Sequence, residues 1–179
     1  MAQRSIVRHT APHAAEQSTQ VPRQGLRQLL RTTWLAASLM GAGLAHGQST
    51  EGQPQDLPTV SLSAGMHNIT AQVASKPQEL AIGLMYRREM PHNHGMLFVF
   101  DRPERQCFWM KNTLMPLSIA FVADDGRIVN VAEMKAGTLD EHCSAEPVRY
   151  ALEMNKGWFK RKGIQPGHRL SGTPFKTSR

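Results

Sequence analysis

The chain has 179 residues, with 21 Lys and Arg against 14 Asp and Glu, two cysteines and ten methionines. That length suits one domain with an appendage. The positive excess is concentrated at the front: Arg4, Arg8, Arg23, Arg27 and Arg31 face only Glu16 before Ala45. The remainder carries 16 Lys and Arg against 13 Asp and Glu, a net +3. It lacks the concentrated basic face that a nucleic-acid partner requires, and Lys160-Arg161-Lys162 reads as the solvated end of a short helix.

Taken in chain order, the first feature is a basic stretch followed by the apolar run 34–45, which ends in Gly43-Leu44-Ala45. A basic n-region, a short apolar core and small residues at the cut describe a secretory signal peptide over residues 1–45. The run is shorter than the roughly 20 residues of a bilayer span, so cleavage would leave no stable membrane insertion. The expected location is therefore periplasmic or secreted. Residues 46–58, rich in Gln, Gly, Pro and Ser, read as a disordered linker.

The domain proper is expected over residues 59–170, with a flexible tail at 171–179. Residues 60–62 and 69–74 read as strands around a turn at Ala64-Gly65. Pro77 opens a helix expected to reach Arg87, with Leu80, Ala81, Leu84 and Met85 as its buried stripe. Met90 to Gly95 is a turn by composition. Apolar residues then recur with period two in 96–100, 107–110 and 116–123. Asp125-Gly126 turns the chain into a strand over 127–134, a strong hairpin signal. A polar loop over 135–147 precedes a strand at 149–154, with Tyr150, Leu152 and Met154 inward. Asn155 is placed to cap a short helix containing Trp158 and Phe159, and a last strand falls at 168–170. Many short strands with two short helices describe a mainly β fold, a compact antiparallel β-sandwich or small barrel, with α+β as the looser label. Cys107 and Cys143, an even count in an exported segment, are expected to form a disulfide.

Several of these segments recur together elsewhere. Gly83-Leu84-Met85-Tyr86-Arg87, Gly95-Met96-Leu97-Phe98-Val99-Phe100, Phe108-Trp109-Met110-Lys111-Asn112-Thr113 and Pro116-Leu117-Ser118-Ile119 are carried in that order, with Asp125-Gly126, Leu152-Glu153 and residues 163–167 behind them. In these motifs the chain resembles the domain of unknown function family one-nine-two over nearly all of residues 59–170. The resemblance implies a compact β-rich fold and, in many members, an export signal. It implies no activity. The chain departs from the family pattern at Ser118, where many members carry Asp, so no scheme that needs a carboxylate there applies.

The candidate site is the polar end of the aromatic strand. Trp109, Lys111, Asn112 and Thr113, with Arg87 from the helix end, are the expected ligand-binding residues. A cation, an amide, a hydroxyl and a stacking face suit a small anionic or polyhydroxylated molecule, or an envelope protein. The structural alternative pairs Lys111 with Glu133 or Glu153 and leaves Asn112 and Thr113 to hydrogen-bond a turn. Two further constellations stand beside it. Glu133 and Glu153 are candidate paired carboxylates for an enzyme acting on envelope carbohydrate or peptide. Met90, His92, His94 and Met96 alternate around a turn as thioether and imidazole ligands for copper. No residue is assigned a catalytic role and no cofactor or metal site is assigned: there is no nucleophile elbow, compact Cys/His zinc spacing or phosphate-cradling glycine loop. The expectation is a binding or accessory module.

Overall fold

The computed structural model describes residues 52–175. The expected signal segment, the start of the linker and the last four residues lie outside them. Strands β1 (Thr59–Ala64) and β2 (His67–Ala74) form a hairpin across Gly65. Helix α1 (Pro77–Ile82) then leads to the long strand β3 (His94–Glu104). Strand β4 (Cys107–Phe108), the hairpin of β5 (Leu117–Val122) and β6 (Ile128–Met134), and β7 (His142–Cys143) follow. Strand β8 (Val148–Asn155), helix α2 (Trp158–Arg161) and β9 (Leu170–Ser171) complete the order.

Seven strands form one sheet in the order β6-β5-β8-β3-β2-β1-β9, and β4 and β7 pair separately. The fold is mainly β, and the sheet curls into a half-barrel. Its ends approach each other at one corner, where Ile128 donates its N–H to His168, and Leu170 donates to Gly126, each at 2.8 Å. One pairing differs from the expected antiparallel pattern: β2 and β3 run parallel, Thr70 against His94 through Ala74 against Phe98. Parallel neighbours need a crossover instead of a tight turn, and α1 with the segment after it supplies one.

Both faces of the sheet are covered. Side chains alternate along each strand, so Tyr150, Leu152 and Met154 of β8 enter one core with Leu97, Ala120, Trp158 and Phe159. Ala151 enters the other with Met96, Phe98, Ile119 and Phe121, beneath Leu84 and Met110. Helix α2 closes the first face through Trp158 and Phe159, both fully buried. It begins at Gly157, not under a cap from Asn155. The Asn155 amide instead donates to the carbonyls of Met90 and Pro91 and anchors that turn to the end of β8.

Helix α1 also ends earlier than its apolar stripe predicts. Glu79 accepts from the N–H groups of Ser75 and Lys76 at 3.0 and 3.1 Å and fixes the start. These two bonds hold its carboxyl down at about 2. At the other end Gly83 takes φ 50°, where an L side chain is strained, and a Cβ there would stand 3.1 Å from the Phe98 ring. The helix therefore stops, and Leu84 and Met85 continue as a turn beside the sheet. The end of the expected linker is likewise bound to the domain: Val73 donates to the Pro58 carbonyl, and the Gln55 amide donates to the carbonyls of Glu79 and Gly83.

Cys107 and Cys143 are disulfide-bonded and directly opposed in the β4–β7 pair. The bond closes a loop with a sequence separation of 36. Loop-closure entropy at that length amounts to about 4 kcal/mol. Replacing both cysteines by alanine is expected to lower unfolding stability by roughly that amount in urea titrations, and reductant is expected to destabilise the wild type and leave the double variant unchanged.

Candidate functional site

Between the turn that ends α1 and the aromatic strand lies a cavity of about 240 Å³. Leu80, Gly83, Leu84 and Met85 form one wall, and Phe98 and Phe100 of β3 form a second. Cys107, Phe108 and Trp109 form the third, and Thr113 and Glu153 also line the space. The disulfide is thus part of what holds the third wall. Phe108 packs edge-on against Phe98 and Phe121, at 4.9 and 5.8 Å between ring centroids.

Glu153 is the feature of this cavity that packing does not explain. It lies on β8, opposite Met96 on one neighbour and Ile119 on the other, facing the core of Phe98 and Phe121. Only 4% of it is exposed. Burial alone raises its carboxyl from an ordinary 4.5 to about 8, with no opposing charge or hydrogen bond to lower it. At neutral pH the side chain is mostly a neutral acid. No other lining residue has a titratable group, since Cys107 is in the disulfide.

The structure divides the five expected binding residues. Thr113, 5% exposed, lines the cavity with Glu153. Trp109 stands at its edge, 51% exposed, with the Lys111 ammonium 5.7 Å from the centre of its ring. This contact replaces the expected pairing of Lys111 with Glu133 or Glu153. Asn112 sits at φ 58° in the turn after Lys111. Its carbonyl accepts from the Tyr86 N–H at 2.8 Å and its amide donates to the Tyr86 hydroxyl at 3.2 Å. Asn112 therefore joins the aromatic strand to the turn after α1. Arg87 lines a different, open hollow with Gln55, Asp56, Tyr86 and Leu114. Its guanidinium donates to the Gln55 carbonyl and the Gln72 side chain, each at 2.5 Å, so it anchors the chain leading into β1.

The other constellations separate too. Ser118 pairs with Glu133 across β5 and β6, whereas Glu153 stands opposite Ile119, the next residue along β5. Alternation sends the two carboxylates to opposite faces of the sheet, which rules out a paired-carboxylate site. Ser118 links strand and helix instead: its hydroxyl donates to Glu133 at 2.7 Å and accepts from the Gly157 N–H at 2.7 Å. His92 and His94 are exposed while Met96 is fully buried, so the four proposed copper ligands do not share one environment.

A model of the DUF192 family, described as an uncharacterized ACR, matches residues 60–172. The chain belongs to the DUF192 family. Two crystal structures share the fold of this DUF192 domain. A Sinorhizobium meliloti protein described as a candidate transcription regulator is 41% identical, with a TM-score of 0.60 over 64% of this chain and 92% of its own. A Novosphingobium aromaticivorans protein of unknown function is 33% identical, with a TM-score of 0.58 over 63% of this chain and 83% of its own. No curated protein matches.

Sequence reasoning named Glu153 as a candidate paired carboxylate or a partner of Lys111, and not as the buried acid of a pocket. The available signal was an acid in the run Tyr150-Ala151-Leu152-Glu153-Met154, where either face of the strand would be apolar. Between 4.5 and about 8 the unfolded chain has lost the proton that folded Glu153 keeps. Its contribution to stability therefore falls as pH rises through that window. Glu153→Gln is expected to flatten this slope, gaining on the wild type by up to about 1.4 kcal/mol per pH unit. Melting temperatures of both proteins across the window check the prediction; parallel curves would contradict it.

Proposed function

We propose that this DUF192 domain is an exported binding module that takes a small ligand into the Glu153 cavity. The ligand's apolar body would lie against Leu84, Phe98 and Phe108, and its single polar end would meet the carboxyl. The carrying observation is a buried acid with no hydrogen-bond or charge partner in the protein, lining a space large enough for a small molecule. A strongly perturbed acid in a cleft points to function more than to packing. The anionic ligand suggested by Arg87 and Lys111 fits this cavity poorly: Arg87 faces another hollow, where one terminal nitrogen is bonded to Gln55 and Gln72 and its Nε has no partner among the described residues, and the carboxyl in the pocket repels an anion once ionised. An enzyme reading would have Glu153 act alone, because Glu133 lies across the sheet.

Export is part of the proposal. It rests on the basic and apolar segment before Ala45 and on a disulfide suited to an oxidising compartment. The protein recovered from periplasm or medium is expected to begin at His46 with Cys107 and Cys143 oxidised, which intact-mass measurement checks before and after reduction and alkylation.

Binding is expected to disturb Trp109 at the cavity edge and to spare the buried Trp158. In NMR spectra, small amphiphilic fragments should shift the Trp109 indole N–H, a signal absent from Trp109→Phe. Glu153→Leu should weaken polar-ended fragments several-fold, about the effect of one lost hydrogen bond. Shifts confined to residues around Arg87 would move the site to the other hollow and refute this reading.

A further inference from the structure

Resting on the pocket reading above, we propose that the polar end of the ligand is a primary ammonium carried on a short apolar chain. Two observations converge on that chemistry. The sole ionisable group lining the cavity is an acid, and no Lys, Arg or His lines it. That acid is 4% exposed and unpartnered, so once a cation draws off its proton no protein charge competes for the carboxylate.

The groups packed around Glu153 leave its titration to the ligand. Met96 and Ile119 flank it on the adjacent strands, and its desolvation has no charged neighbour to oppose it. In the empty cavity at neutral pH the carboxyl keeps its proton. When an ammonium R–NH3+ binds, the O–H of Glu153 gives its proton to solvent, and a carboxylate–ammonium pair of zero net charge remains. One positive charge enters and one proton leaves, so the balance closes without a further reactant. Ionising the acid at pH 7 costs about tenfold in affinity for each unit separating its pKa from the pH. The charge-assisted hydrogen bond formed within the pair offsets that cost.

The test uses n-pentylamine, 1-pentanol and pentanoate, matched in chain length, titrated calorimetrically into the exported protein at pH 7. Ligands of this size bind in the millimolar range at ordinary ligand efficiency. The amine is expected to bind at least tenfold tighter than the other two, releasing close to one proton as read from heats in buffers of different ionisation enthalpy. Its affinity should rise up to tenfold per pH unit towards pH 8 and then level. Glu153→Gln should remove both the preference and the slope while still binding 1-pentanol. Should that variant fail to fold, the pH slope and proton release of the wild type decide alone. Equal binding of amine and alcohol, tighter binding of pentanoate, or amine binding without proton release would overturn the ammonium inference and leave the pocket reading standing. Absence of binding by all three at millimolar concentration would overturn both.

Discussion

Strand β8 lies in the middle of a sheet with both faces covered, and the rest of the structure follows from that position. A central strand with one wet face alternates apolar and polar residues. Here neither face is wet: Leu152 and Met154 enter one core and Ala151 the other, so residue 153 is interior by register. An acid at such a position must be paired, hydrated or protonated, because burying an isolated carboxylate is costly. The sheet supplies no partner, and the carboxyl responds by holding its proton to about 8. The chemistry of the site is thus a property of topology before it is one of local geometry.

What keeps this acid beside a cavity instead of sealed in packed side chains is the shape of the segments above it. Gly83 ends α1 after six residues, so the chain turns away at Leu84 instead of running on to Arg87. The disulfide joins β4 to β7 and fixes Phe108 and Trp109 as the facing wall. Asn112, held in the left-handed region, ties that wall back to Tyr86 on the turn. A glycine, a cross-link and one amide therefore define the opening, and none of the three touches the acid.

This division explains which parts of the fold were legible in the sequence. Period-two runs and the Asp125-Gly126 turn locate β5, β6 and β8, because alternation and turn chemistry are local. The disulfide was legible from the even cysteine count together with the expected export. The parallel β2–β3 pair was not, since the short apolar stripe of α1 does not reveal which way the next strand runs. Nor was the separation of Arg87 from Trp109 and Thr113, which depends on where a helix stops. A continuous apolar stripe carried the expected helix past Gly83, and the positive φ that stops it is a tertiary choice made against Phe98. Residues 55–58 look like linker by composition, yet Gln55 bonds two carbonyls at the end of α1. Polar side chains that satisfy backbone groups leave no apolar signature.

Glu133 and Glu153 give the same lesson on the two faces of one sheet. The strands that carry them both border β5, and either acid alone could be read as functional. Glu133 is exposed, on the edge strand β6, and accepts the Ser118 hydroxyl, which in turn accepts the Gly157 N–H at the start of α2. Its carboxylate thereby helps hold strand to helix, a task hydration does not oppose. Glu153, on β8 and facing the other core, has no hydrogen-bonding or charged partner to hold among the described residues. That one acid joins a hydrogen-bonded link and the other lines a cavity as a buried acid follows from a single step of register along β5.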